Sequence, residues 1–284
     1  MKKGLAVFLS ILLLLSLCLF SCEATERVKC VDIKLTSEQY AFGVSHENKE
    51  LYNSACSLID KIKKDGTLKS ILEKYFSENE DEYLWVSAGI ESADKNQLIV
   101  ATHTPFSPFE FSKYESSVKM YAGIDIEIAH LLAEELGAEL VIKDVPFNEI
   151  LTSVSSGHAD IAMAGISVSD ERTELVDFTD SYYEASQVIV VKGDDTRFNS
   201  CKTKEDVELI LNSLSPDTVV GCQSDTTSEL YITGDSSLGF DGYDLIPVGF
   251  ESPVLATQAL INGNVSLVIM DEGAALSIVD SIND

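Results

Sequence analysis

From residue 97 onward, short apolar runs alternate with single amphipathic stretches, and this alternation constrains the fold more than any other feature. "QLIVATH" reads as a strand. "GIDIEIAHLLAEELGAEL" reads as a helix, with Ile124, Ile128, Leu131, Leu132 and Leu136 inward and a stop at Gly137. "ELVIKDV", "NEILTSVSSG" and "ADIAMAGI" continue as strand, helix, strand. "SQVIVVK" (186–192) is another strand, followed by the loop "GDDTRFNS". Beyond it come the helix "KTKEDVELILNSL", the strand "DTVVGCQ", a helix start at "TTSELYIT" and the strand "DLIPVG". The helix "SPVLATQALING" and the strand "VSLVIMD" complete the series. Strands separated by single helices form mainly parallel sheets covered on both faces. The interruption near 190–200 divides the pattern into two such α/β units.

The residues ahead of this pattern are organised differently. "VKCVDIKL" (28–35) and "QYAFGVS" (39–45) are short, β-branched or aromatic runs expected to be strands. "NKELYNSACSLIDKIKKDG" places Leu51, Ala55, Leu58, Ile59 and Ile62 on one helical face and stops at Gly66. A second helix, 67–76, buries Leu68, Ile71, Leu72 and Tyr75. Residues 77–96 form an acidic linker with one apolar island, Tyr83-Leu84-Trp85-Val86, expected to dock. A short helix fraying into "SENEDEY" is a common way for a domain to finish. Here it stands early in the chain, while "NVSLVIMDEGAALSIVDSIND" stops inside a well-patterned apolar stretch.

Lys2 and Lys3 precede an apolar run from Leu5 to Phe20 that ends at Leu19-Phe20-Ser21-Cys22. This resembles a bacterial lipoprotein signal over 1–21, which implies lipidation of Cys22 and a short tether over 22–27. The body is then expected to be periplasmic or at the cell surface, held to a membrane through Cys22. An uncleaved anchor and an ordinary secretory signal are the alternatives. No other stretch approaches the ~20 apolar residues of a membrane span. A net charge of −27 repels phosphate backbones, so nucleic acid is excluded as a partner. Cys30, Cys56, Cys201 and Cys222 allow three complete pairings or none, and no C-x-x-C occurs. With four scattered histidines besides, neither a metal nor a cofactor is expected.

The densest chemistry lies in "ADIAMAGISVSDERTELVDFTDSYYEASQVIVV" (159–191). A strand runs into Gly165, hydroxyls follow at Ser167 and Ser169, and Arg172 comes one short turn later. Small residues at the carboxyl edge of a strand admit a ligand to the backbone. A serine and an arginine beside it can bind an oxyanion. Taken alone, an arginine in "DER" is more often part of a surface ion pair.

These residues stand in order with "LIVATHTPFSPFEF", "AGIDIEIAHLLAEELG" and "PFNEILTSVSSGHADIAMAG" before them, and with "TVVGCQSDTTSELY" and "ALINGNVSLVIMDEGAA" after. In that order and spacing the chain resembles the family 3 extracellular solute-binding proteins, the amino-acid receptors of ABC importers. The resemblance implies a type II periplasmic-binding-protein-like clamp of two α/β lobes. It also implies a circular permutation, because "EQYAFGVS", "NKEL" and "DGTLKSILEKYF" are similar to the family's closing segment. Residues 28–36 would then return to lobe two as a hinge strand, and 37–76 would complete lobe one. The linker 77–96 would lead into the main part of lobe one at 97–189, a hinge at 190–194, and lobe two at 195–284.

By the same resemblance Arg172 holds a ligand α-carboxylate, with Ala164, Gly165 and Ser167 beside it. Asp271 takes the α-ammonium, unless it only caps the helix that follows. Thr226 and Thr227 offer a hydroxyl and helix-start N–H groups, with Gln223 and Met270 nearby. Phe106 and Phe147 flank the ligand side chain, and His103 reads it. Asp225 stands where the family usually has glycine, and its carboxylate would repel the ligand's own unless it points away. The implied function is capture of an L-amino acid or close analogue for an ABC permease, with no enzymatic activity. The alternatives are a non-transport sensor or surface interaction protein, and a cyclohexadienyl-dehydratase-like enzyme. Strand 28–35 could also dock on a neighbour and give a domain-swapped homodimer.

Overall fold

A computed structural model describes residues 27–77, 84–89 and 96–284. The signal segment 1–21, Cys22, the tether up to residue 26, Tyr83 and most of the linker lie outside the described residues. Among the described residues no helix is long and apolar enough to cross a membrane.

Two five-stranded sheets carry the fold. The first contains β3 (Gly43–Val44), β4 (Gln97–Thr102), β7 (Glu139–Asp144), β8 (Ile161–Ala162) and β9 (Asp177–Phe178), in the order β7-β4-β8-β3-β9. The second contains β1 (Val28–Val31), β11 (Gln187–Lys192), β12 (Val219–Gln223), β13 (Ile246–Phe250) and β14 (Leu267–Asp271), in the order β1-β11-β14-β12-β13. β4 runs parallel to β7 and β8, and β12 parallel to β13 and β14. β3, β11 and β1 pair antiparallel with their neighbours. The sheets are therefore more mixed than the alternation suggested. A helical crossover returns a chain in the same direction, whereas β11 and β3 enter their sheets without one.

Helices cover both faces. α1 (Lys49–Asp65), α2 (Thr67–Phe76) and α3 (Ile124–Leu136) bury Leu58, Ile59, Ile71, Ile128 and Leu132 in one core with Leu98 and Val100 of the first sheet. α4 (Ile150–Ser155) puts Ile150 and Val154 against the other face, with Ala101 and Ala162. On the second sheet, α8 (Pro253–Ile261) and α9 (Glu272–Asn283) pack beside Val188 and Val190. α6 (Lys204–Ser213) and α7 (Thr227–Thr233) pack beside Ile189 and Val191. Each such buried aliphatic side chain contributes about 1.5–3 kcal/mol. α1 begins at Asn48, whose side chain accepts from the Leu51 amide, and ends at Gly66 with φ 86°.

The chain crosses between the sheets twice, and the crossings lie side by side. β2 (Glu38–Tyr40) pairs antiparallel with β10 (Tyr183–Ala185), and Ala185 faces Glu38. Ser186 Oγ donates to Thr36 O at 2.7 Å, and the Gln187 amide donates to Thr36 Oγ1 at 2.8 Å. The crossing expected at 190–194 is thus at 185–187. Gln187 is already in register with Asp271, and Val188–Val191 lie wholly inside the second sheet.

β1 is shorter than its apolar pattern and pairs with β11 of its own chain. Asn283, at the end of α9, fastens it: Arg27 N donates to Asn283 Oδ1 at 2.9 Å, and Asn283 Nδ2 donates to Val28 O at 2.9 Å. A hairpin of β5 (Phe111–Glu115) and β6 (Val118–Ala122) was not legible from its composition. Trp85 of the apolar island bonds reciprocally with Tyr121 on this hairpin, at 2.8 Å each way. All four described cysteines are free thiols.

Gly123 opens α3 at φ 124°, and a Cβ there would lie 2.1 Å from Phe109 O. Gly123→Ala is expected to cost roughly 3 kcal/mol or more, because main chain must move. Urea denaturation checks this; an unchanged midpoint would contradict the packing.

Candidate ligand-binding site

The loops at the strand ends of both sheets line a shared cavity. His103, Phe106, Glu110, Phe147, Ala164, Gly165, Ser167 and Arg172 line it from the first lobe, and Gln223, Thr226, Thr227 and Asp271 from the second. Gly165 has φ 53°, and a Cβ on it would come within 2.6 Å of the Phe106 ring. This close approach needs glycine. The Gly165 amide donates to Asp125 Oδ2 at 2.9 Å. Burial raises the pKa of Asp125 to about 7.

Arg172 lies on α5 (Asp170–Thr173), a single turn begun by Ser169, whose Oγ accepts from the Arg172 amide at 3.3 Å. Its Nη1 donates to Ser167 O at 2.8 Å and its Nη2 to Asp225 O at 3.4 Å. The guanidinium stands 5.5 Å from the Phe147 ring centre, within cation–π range. Burial lowers its pKa, while Glu38, Asp271 and Tyr40 hold it up. Among the described residues no carboxylate reaches ion-pair distance of it.

Asp271 ends β14 and makes no side-chain cap to α9. It accepts instead from the Tyr40 hydroxyl and from Gln187 Nε2, the latter at 3.0 Å. Its pKa is raised to about 7, first by burial and then by the charge of Glu38, while the two hydrogen bonds pull it back. Glu38 accepts from Thr36 Oγ1 at 2.6 Å, Ser167 Oγ at 2.5 Å and Gln187 Nε2 at 3.0 Å. The Ser228 hydroxyl in turn donates to Gln187 Oε1 at 2.7 Å.

This network changes what several residues can do. The Ser167 hydroxyl is committed to Glu38, so its carbonyl is what serves the site, by aiming Arg172. The Thr226 hydroxyl donates to Gln223 O at 2.8 Å. Met270 does not line the cavity. Successive strand residues face opposite ways, and with Asp271 at the cavity Met270 is 1% exposed in the core. Asp225 does not line it either. At φ 62° it occupies the left-handed turn position usual for glycine and presents its carbonyl to Arg172. Both His103 nitrogens face carbonyl oxygens.

Four neighbours of the site were missed in the sequence. Glu110 is 1% exposed, with Oε2 lacking a hydrogen-bond partner, and burial pushes its pKa well up. An acid between Phe109 and Phe111 was the available signal. Glu38, Tyr40 and Gln187 had none: Glu38 ends a short polar break, Tyr40 and Gln187 lie in apolar runs read as strands, and only the β2–β10 pairing sets Glu38 and Tyr40 beside the site.

An aspartate titrates near 3.9 in an unfolded chain and Asp271 at about 7 in the folded one. The folded state binds this proton more tightly, so the residue's effect on stability is most favourable below about pH 4 and worsens as pH rises towards 7. Asp271→Asn removes that penalty. Its thermal midpoint is expected to exceed the wild type's at pH 8, by roughly 2–4 kcal/mol of stability, with the gap closing towards pH 4. Equal gaps at both pH values would refute this.

The bacterial extracellular solute-binding proteins, family 3, match this chain over residues 98–265. The arginine-binding extracellular protein ArtP of Bacillus subtilis is 36% identical over 108 residues, 38% of this chain and 40% of that protein. The chain thus matches well under half the length of that curated relative. Among solved structures, the ancestral amino acid-binding protein AncCDT-1, a precursor of cyclohexadienyl dehydratase, is 31% identical with a TM-score of 0.55, covering 66% of this chain and 75% of that one. The substrate-binding protein AbpA from Streptococcus pneumoniae, bound to L-arginine, is 31% identical with a TM-score of 0.54, covering 65% and 71%. The two sheets, the cavity between them and the family match agree: this chain belongs to the family 3 bacterial extracellular solute-binding proteins.

Proposed function

We propose that the protein captures an L-amino acid outside the cytoplasm and delivers it to an ABC importer by closing its two lobes. The observation that carries this is Arg172, a guanidinium with no carboxylate partner among the described residues, lining the same cavity as Asp271. An α-amino acid supplies the missing half of each. Its carboxylate takes the free N–H fork of Arg172. Its ammonium takes Asp271, whose proton it displaces. Phe106 and Phe147 give the side chain an apolar wall. A ligand held by Arg172 from one lobe and Asp271 from the other has more contacts in the shut state, which is what makes closure follow binding.

The reading includes a lipid tether at Cys22 and a circular permutation. Residues 27–77 lie outside the family match yet complete both halves. β3 enters the first sheet, β1 the second, and α1 and α2 pack with α3. This supports their being the family's closing segment placed first.

Calorimetry against a panel of L-amino acids that includes L-arginine tests the function. At least one is expected to bind near micromolar affinity, about −8 kcal/mol. Arg172→Ala is expected to cost about 2–5 kcal/mol of that. Binding of no member, or unchanged affinity in the variant, would overturn the reading.

A further inference from the structure

From Phe106, one wall of the cavity, a line of contacts runs out of the first lobe and into the second. The Phe106 ring touches Gly165 and stacks on the Phe109 ring, with centroids 5.5 Å apart and planes at 22°. Phe109 in turn meets Gly273, in the first turn of α9, where a Cβ would lie 2.9 Å from Phe109 Cε2 and 3.3 Å from Phe76 Cε1. The backbone does not call for glycine there. Gly273 has no positive φ, and glycine weakens a helix relative to alanine. What the position lacks is room.

Neither side of this contact can easily step aside. Phe109 is fully buried, edge-on to Tyr40 and Tyr183 at 5.1 Å each and to Phe76 at 6.0 Å. Its carbonyl accepts from the Asp125 amide at 2.9 Å. On the facing side the Glu272 amide donates to Ser186 O at 2.9 Å, and Asp271 of the cavity stands two residues before Gly273. One turn further along α9, the Ser277 and Ser107 hydroxyls lie 3.0 Å apart, a second meeting of the lobes outside the cavity. We propose that Gly273 is a positioning residue: its bare backbone is the seat on which the Phe106–Phe109 pair comes to rest as the lobes shut, and it thereby fixes the separation between the aromatic wall and Asp271. A methyl group there holds the lobes apart or drives Phe109 towards Phe106, and close-packed rings absorb neither change freely. The effect on ligand rests on the proposed amino-acid reading; the seat requires only that the lobes meet as they do in this structure.

Two measurements separate these. The first needs no ligand. In a Ser107→Cys/Ser277→Cys protein, oxidation traps the shut arrangement, which ligand-free lobes visit as a minority state. Peptide mapping distinguishes the 107–277 disulfide from any formed by Cys30, Cys56, Cys201 and Cys222. Adding Gly273→Ala is expected to slow this disulfide by about tenfold or more, the size of an overpacking penalty, and adding Phe109→Leu as well is expected to restore it. An equal rate with Gly273→Ala, no rescue by Phe109→Leu, or no 107–277 disulfide at all overturns the seat. The second measurement is calorimetry with L-arginine and the rest of the amino-acid panel. Gly273→Ala is expected to weaken whichever member binds by about tenfold or more, with most of the loss recovered by Phe109→Leu. Its ligand-free thermal midpoint is expected to stay at or above the wild type's, since alanine favours the helix when the lobes are apart. Unchanged affinity, or a lowered ligand-free midpoint, overturns the positioning role. If no panel member binds the wild type, the amino-acid reading fails, while the disulfide rates still decide the seat.

Discussion

The carboxylate of Glu38 organises the centre of the molecule. It sits where the two crossings lie together and accepts from Thr36 on one, Gln187 on the other and Ser167 in the first lobe. A buried charge is tolerated only when its lone pairs are occupied, and here the donors come from three separate stretches of chain. Holding the Ser167 hydroxyl orients its carbonyl, which in turn aims Arg172. Holding Gln187 places its amide on Asp271. The two ends of the cavity are thus linked through one side chain that lies beside it and does not line it.

The acids around the cavity have different states because their surroundings differ. Glu110 has an unpartnered oxygen in an apolar wall and is pushed towards its neutral form. Asp271, with a phenol and an amide donating to it, is held at about 7. Among the described residues the Arg172 guanidinium has only carbonyls as direct hydrogen-bond partners. Burial is the first cause in each case, and the charges of neighbouring acids come second.

Much of the architecture was legible from periodicity. The strands and helices after residue 97 follow their patterns closely, because a covered α/β sheet imposes the same apolar spacing that the sequence shows. What escaped depended on long-range pairing. "SQVIVVK" reads as a strand wherever it lies, and only its register with Asp271 and Met270 assigns it to the second sheet. The β5–β6 hairpin has exposed, polar strands without a clear alternation. At the site, resemblance led to Arg172 and Asp271. It could not show that the Ser167 hydroxyl is already committed, that Met270 faces the core, or that Glu38 turns inward.

The fastening of β1 by Asn283 has a mechanical side. Any pull transmitted through residues upstream of Arg27 enters the body at the edge of the second sheet and is shared at once with α9. A molecule secured from that direction has its second lobe as the anchored jaw. If the lobes close as proposed, the first, joined to the second by two adjacent crossings, would be the part that moves.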